Sequence, residues 1–266
     1  YYTAESKVVQ LVSQNQAQIL KDVDAVTDSF FHDYMEVANK IAQAVAKTDN
    51  DGDAYMAQTK FQKDNANSLV SFVFFGREDD GYFFQSDGTR LTPEKDNYDP
   101  RKRGWYMDAK AKNGAIYTEP YKAATYNALV ISFAAPVVKD GKFVGAIGFD
   151  IQIDALSKKI LDMGKTDHGY IYLMNKGGVV LIHSDPQFIG KTPEFAKTIS
   201  TKLANKDFDS NGLIPYVNPK GENVTAKVLE LNKDGWLVVA AIGANTFSNH
   251  TLPLLKAQLI LAAVFI

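Results

Sequence analysis

Apolar residues recur along the first fifty positions at Ile19, Val23, Val26, Phe30, Tyr34, Val37 and Ile41, in steps of three and four. That is the period of one continuous stripe on an α-helix. Neither proline nor glycine occurs from Tyr1 to Lys47. The pattern therefore predicts one amphipathic helix of about forty-five residues, about 65 Å long at 1.5 Å per residue. Such a helix exceeds the width of a small domain and can run along two stacked modules or along a second copy of itself.

The Asn50-Asp51-Gly52-Asp53 turn ends this helix, and a shorter one is expected over Ala54–Asn67. Ser68–Gly76 and Tyr82–Ser86 are rich in Phe, Val and Tyr, and the charged Arg77-Glu78-Asp79-Asp80-Gly81 turn between them marks a β-hairpin. After a loop through Pro100, a short helix is expected over Arg103–Asn113. A stronger hairpin joins Ala128–Val138 to Phe143–Ile153 through Lys139-Asp140-Gly141-Lys142, where Asp-Gly supplies the positive φ of a tight turn. The pattern predicts an antiparallel sheet with its helices to one side. The order then repeats on a smaller scale, with helix Asp154–Met163, a hairpin of Gly169–Asn175 and Gly178–His183, helix Lys191–Asn205, and strands Leu213–Val217, Val224–Leu231 and Trp236–Ile242. The fold class expected is α+β, two similar antiparallel-sheet modules hung on one long helix. Residues 1–67 carry the two helices, 68–155 the first module and 156–245 the second.

The run Leu252-Pro253-Leu254-Leu255-Lys256-Ala257-Gln258-Leu259-Ile260-Leu261-Ala262-Ala263-Val264-Phe265-Ile266 grows steadily more apolar. A bilayer is crossed by about twenty apolar residues, so 250–266 reads as the start of a transmembrane helix, with a short buried helix as the alternative. Lys256 fits a membrane entry, because its ammonium can snorkel to the interface. No signal peptide opens the sequence, so any targeting segment lies upstream. Composition is that of a globular protein, 45% apolar and 23% charged, and the formal net charge of −2 gives no pull toward nucleic acid. The absence of cysteine excludes disulfides, thiolate nucleophiles and cysteine metal sites. No cofactor is implied, since no phosphate loop, dinucleotide glycine pattern or zinc-ligand spacing occurs.

The chemistry concentrates between Tyr98 and Asp150. This stretch sets a guanidinium (Arg103), an indole N–H (Trp105), the phenols of Tyr98, Tyr106 and Tyr121, and one carboxylate (Asp150) among apolar strands. A few polar groups in an apolar setting are the composition of a small-molecule pocket. An Arg can hold a carboxylate with two parallel hydrogen bonds, and an Asp closing the apolar run Gly145-Ala146-Ile147-Gly148-Phe149 needs a cationic partner. A zwitterion would satisfy both. One of Trp105 and Tyr106 is expected to be a plain core aromatic.

Tyr98-Asp99-Pro100-Arg101-x-Arg103-x-Trp105-Tyr106, Tyr117-Thr118-Glu119-Pro120-Tyr121 and Ala134-Ala135-Pro136-Val137 leading to Gly148-Phe149-Asp150 resemble the membrane-distal half of a double Cache sensor domain. Leu181-Ile182-His183-Ser184-Asp185, Ile189-Gly190-Lys191 and the Trp236 strand resemble its membrane-proximal half. The resemblance covers nearly the whole chain. It implies PAS-like modules in a periplasmic sensor of an inner-membrane methyl-accepting chemotaxis receptor, with a histidine kinase or cyclic-dinucleotide enzyme as alternative owners. It also implies a homodimer through the N-terminal helix, flanking transmembrane helices, and no enzymatic activity. In the amino-acid-binding subgroup the pocket pattern falls on Tyr98, Arg103, Trp105, Tyr106, Tyr121 and Asp150, with Arg103 and Trp105 on the ligand carboxylate and Asp150, Tyr106 and Tyr121 on its ammonium.

One departure matters: where the subgroup has an Asp two positions after Tyr121, this chain has Ala123. A hydroxy acid or other carboxylate is therefore an alternative ligand, and Lys102 and Lys122 at the rim would favour a dicarboxylate. A hydrolase reading lacks support, because none of His32, His168, His183 and His250 falls in the Tyr98–Asp150 stretch. His183-Ser184-Asp185 cannot reach triad geometry from one loop. Asp51-Gly52-Asp53 and Glu78-Asp79-Asp80 lack the spacing of a calcium loop and read as turns. A purely structural stalk, in which the charged stretch is accidental, is the remaining alternative.

Overall fold

The computed structural model describes residues 2–163, 169–210, 212–231 and 235–243. The chain forms two compact units, Ser29–Leu156 and Tyr1–Asp28 together with Ser157–Ile266. Helix α1 (Tyr2–Ala46) contributes to both. The expected apolar span at 250–266 lies outside the described residues, among which no helix is long and apolar enough to cross a membrane.

In the unit Ser29–Leu156, α2 (Gly52–Asp64) starts at Asp51, whose carboxylate accepts from the backbone N–H groups of Asp53 and Ala54 at 3.0 Å, the usual way of satisfying the free donors of a first turn. Strands β1 (Val70–Arg77), β2 (Phe83–Gln85) and β3 (Arg90–Leu91) lead through α3 (Pro93–Asp96) to α4 (Gly104–Lys112). Then come β4 (Ile116–Tyr117), β5 (Tyr121–Lys122), β6 (Leu129–Lys139) and β7 (Lys142–Gln152). All pair antiparallel in the order β3-β2-β1-β7-β6-β4, with β5 also on β6.

Successive side chains of a strand point to opposite faces. On one face Phe133 meets Phe30, Phe31 and Tyr34 of α1 at ring distances of 6.2, 5.7 and 5.4 Å, and Phe75 meets Tyr55 of α2 at 4.4 Å. On the other face Phe74, Ala134 and Ala146 pack under Trp105, Tyr106 and Ala109 of α4. Helices thus cover both faces, not one side as the sequence suggested. The sign was the unbroken apolar run through β6 and β7, which marks strands buried on both sides.

In the other unit, α5 (Ile153–Met163) leads to β8 (Gly169–Asn175), β9 (Val180–Ile182), α6 (Glu194–Ala204), β10 (Ile214–Val217), β11 (Asn223–Glu230) and β12 (Trp236–Gly243). The sheet order is β10-β11-β12-β8-β9. Phe195, Ala196 and Ile199 of α6 pack on Tyr172, Met174 and Val239. Gln16 of α1 donates from Nε2 to the carbonyl of Ala240 at 3.0 Å, and Lys227 donates to Ser13 Oγ at 3.0 Å. The expected α+β fold, a long helix with two antiparallel sheets, is the one observed; the strands missing from the pattern, β3, β4 and β5, are two residues each, too short to display a period.

Gly145 on β7 lets two strands close. It pairs with Arg77 at φ +155°, and a Cβ there would lie 2.2 Å from the carbonyl oxygen of Gly76. Gly145→Ala is expected to cost about 2 kcal/mol or more, read as a lower urea midpoint with an unchanged slope. A midpoint equal to the parent's would contradict this close approach.

Candidate functional site

The turn before α4 sorts two arginines that the sequence leaves equivalent. Asp99 caps a single helical turn (Pro100–Lys102) by accepting from the backbone N–H of Arg101 at 3.0 Å. It also takes the Arg101 guanidinium through Nε and Nη2, both at 2.9 Å, while Arg101 Nη1 donates to the carbonyl of Glu78 at 3.1 Å. Arg101 is consumed in fixing the turn. Arg103, two residues on, starts α4 with no carboxylate partner among the described residues, its guanidinium 5.8 Å from the centre of the Tyr98 ring.

A cavity opens beside it, lined by Arg103, Tyr98, Trp105, Tyr121 and Asp150 with Phe74, Phe83, Gln85, Ala123, Ala124 and Thr125. Its free volume is about 10 Å³, room for about one water molecule. Trp105 packs edge-on to Phe74 at 4.9 Å, and Tyr98 lies 5.0 Å from Phe83. Burial pushes the Tyr98 phenol up to about 12, against the pull of the Arg103 charge and the Trp105 indole.

Asp150 is 3% exposed, near the end of β7 and opposite Ser132 on β6 and Phe72 on β1. No ion pair reaches it among the described residues; its partners are hydroxyls. Ser132 Oγ donates a short hydrogen bond to Oδ1, and Tyr126 donates to Oδ2 at 2.8 Å. Tyr121 extends the chain by pairing with Ser132 Oγ at 2.6 Å. Burial raises the Asp150 pKa from 3.8 to about 6, with the two hydroxyls opposing it. Burial, and then the Asp150 charge, raise that of Tyr121.

Five of the six residues expected at the site, Tyr98, Arg103, Trp105, Tyr121 and Asp150, meet around this cavity. Tyr106 does not line it. As the next residue on a helix it points into the core, where its hydroxyl donates to Glu78 Oε2 at 2.6 Å, and Lys110 holds the same carboxylate. Ser132, Tyr126, Gln85 and Thr125 escaped the sequence reading. Ser132 was detectable as the one polar residue in Val130-Ile131-Ser132-Phe133-Ala134. Thr125 and Tyr126 are brought in by the loop after β5, which closes through Ala123 N–H to the Ala128 carbonyl at 2.9 Å and reaches Gln85 of β2 through Thr125 Oγ1 to Gln85 Oε1 at 2.9 Å. Lys102 and Lys122 are exposed and do not line the cavity.

Comparison with known proteins places the chain in a family. The methyl-accepting chemotaxis protein PscA of Pseudomonas syringae is 36% identical over 124 residues, 45% of this chain and 20% of its own length. McpG of Pseudomonas putida, of the same description, is 30% identical over 210 residues, 78% of this chain and 28% of its own. The matched stretch thus spans between 20% and 28% of these relatives' own length. Among solved structures, the ligand-binding domain of the Pseudomonas fluorescens chemoreceptor CtaA with L-serine matches with a TM-score of 0.71 at 17% identity, covering 89% of this chain and 99% of that one. That of the Pseudomonas aeruginosa amino acid chemoreceptor PctB with L-Arg matches at 0.70 and 18%, covering 88% and 96%. These identities speak for the fold alone. The Cache domain family model matches residues 4–249, so the chain belongs to the Cache domain family.

Proposed function

We propose that the chain is the sensor domain of a methyl-accepting chemotaxis receptor, and that it binds a small amino acid with an uncharged side chain between Arg103 and Asp150. The observation that carries this reading is electrostatic. One cation and one anion line a single cavity, and neither has a partner of opposite charge among the described residues. The ligand carboxylate would lie on the Arg103 guanidinium and the Trp105 indole, its ammonium on Asp150, and its side chain against Phe74, Phe83, Ala123 and Ala124. With no other charged side chain lining the cavity, a dicarboxylate or a diamine would keep an unmatched charge, which is costly away from water. The chain is read as a binding module, not an enzyme, periplasmic in a membrane receptor and dimeric through α1. The names of the relatives and the chemoreceptor folds support that reading.

The volume of the cavity suggests how binding signals. A molecule larger than water can enter only if the Ala123–Ala128 loop yields, and loosening Thr125 from Gln85 and Tyr126 from Asp150 links occupancy to a second state. A ligand shifts such an equilibrium only by its difference in affinity for the two states.

Arg103→Ala and Asp150→Ala should each abolish calorimetric binding of L-alanine by the purified chain. Binding that survives both changes excludes this cavity. Proton linkage gives a second test. In the unliganded chain the Asp150 pKa is raised, so its protonated form stabilises the fold fully below about pH 4, and that contribution disappears as pH rises through 6. A shift of about two units is worth about 3 kcal/mol. Asp150→Asn should therefore raise the melting temperature at pH 7 while eliminating binding; a melting temperature that falls at pH 7 refutes the assignment of a destabilising charge. In the parent chain L-alanine needs the ionised carboxylate, so its affinity should weaken about tenfold per unit below pH 6. A flat profile between pH 5 and 7 would exclude contact of the ammonium with Asp150.

A further inference from the structure

The five-stranded sheet repeats the strand arrangement around the first cavity, so the two sheets can be aligned by register. In the seven-stranded sheet Phe74, packed under α4, faces Gly148, and Asp150 follows two residues on. In the five-stranded sheet Tyr172, packed under α6, faces Val239, and Ala241 follows two residues on. Ala241 stands where Asp150 stands. Ala241 offers no carboxylate to anchor an ammonium there, yet this unit holds the roomier of the two cavities, about 520 Å³, within the range of small-molecule sites. Tyr170, which faces Ala241 across the ladder, lines it together with His183, Phe188, Asn218, Lys220 and Val224.

Hydrogen bonding leaves donors over in these walls. His183 is 6% exposed, and its Nδ1 accepts from the backbone N–H of Asp185 at 2.9 Å. Burial depresses its pKa and keeps the ring neutral, so the ring proton sits on Nε2, which is buried without an acceptor among the described residues. A buried N–H left in this condition calls for a partner. Lys220, exposed at the mouth, has no ion pair among the described residues. The acidic side chains of the cavity are occupied: Asp185 accepts from the backbone and side-chain amides of Gln187, and Glu222 accepts from Asn218 Nδ2 at 2.8 Å. The unpaired His183 Nε2–H, with Lys220 at the mouth, is answered by an occupant that brings acceptors. Part of the wall is apolar, with Phe188 standing nearly perpendicular to the His183 ring at 5.0 Å and Val224 also lining the cavity.

We propose that this cavity is a second ligand site, for a small monocarboxylate with an apolar body: His183 Nε2–H and Lys220 Nζ take the carboxylate, and Phe188 and Val224 take the body. The imidazole edge is enclosed by the rings of Phe188, Phe195 and Tyr172. Phe188, half-buried on the turn Pro186–Phe188, is the least buried of the three and must move aside for the carboxylate to reach Nε2. With Ala241 at the position of Asp150, the site does not reproduce the buried carboxylate of the first cavity and shares no lining residue with it.

The test is a calorimetric titration of the whole chain with sodium benzoate and sodium propionate, in the parent and in Arg103→Ala, with the His183 imidazole followed by NMR. Benzoate should bind Arg103→Ala as it binds the parent, and the His183 Nε2–H resonance should move on saturation. Lys220→Ala, an exposed change that leaves the core intact, should weaken binding several-fold. His183→Phe, which keeps the ring and removes the donor, should weaken it by about tenfold or more. Absence of binding by both acids overturns the proposal, as does binding that vanishes in Arg103→Ala, which would place the probe in the first cavity. A folded Lys220→Ala with full affinity and an unmoved His183 resonance overturns it as well, whether or not His183→Phe folds.

Discussion

The site depends on a carboxylate almost wholly buried, with no cationic partner among the described residues. Moving an ionised carboxyl out of water is expensive unless it is paired, and among the described residues Asp150 is paired only with hydroxyls. Two hydrogen bonds offset part of the cost of burial, which is why the group rests near pH 6 and not far higher. The elements around it follow from that need. Ser132 comes across the β6–β7 ladder, Tyr126 from the loop after β5, and Tyr121 holds Ser132 from the far side. A ligand cation would complete what these hydroxyls leave unfinished.

The turn before α4 shows the complementary device. Arg101 is neutralised by Asp99 so that the turn is rigid, and Arg103 is left over at the mouth of the cavity. One arginine builds the scaffold and the other lines the cavity, and the difference between them is two residues of register. Tyr106 and Trp105 divide in the same way. Neighbours on a helix point about 100° apart, so one ring enters the cavity wall while the other enters the core and bonds to Glu78.

The two sheets share a plan and differ in chemistry. Each has a strong antiparallel pair under a short helix and a cavity beside the loop ends, yet the position held by Asp150 in one is Ala241 in the other. Duplicated folds keep the positions that pack and release those that only bind, because packing is felt at every methylene while an unused charge is a burden. The larger cavity of the five-stranded unit is lined by Asp185, Lys220 and Glu222 and has no counterpart of Asp150.

Much of this was legible in the chain. The period of three and four residues located α1, since a stripe without proline or glycine over forty-five positions admits no other regular structure, and the long hairpins followed from apolar runs broken at Asp-Gly. Arg103, Trp105 and Asp150 stood out as polar groups set among apolar ones. The sheet face on which each lies was not legible, nor were helices on both sides of the sheet, the diversion of Tyr106 to Glu78, or the arrival of Tyr126 at Asp150 from twenty-four residues away. Local pattern reports what each segment buries, because burial is a property of single positions. Which side chains share a cavity depends on strand register and loop closure. These are set by contacts between residues far apart in sequence, and no window of the chain contains both partners.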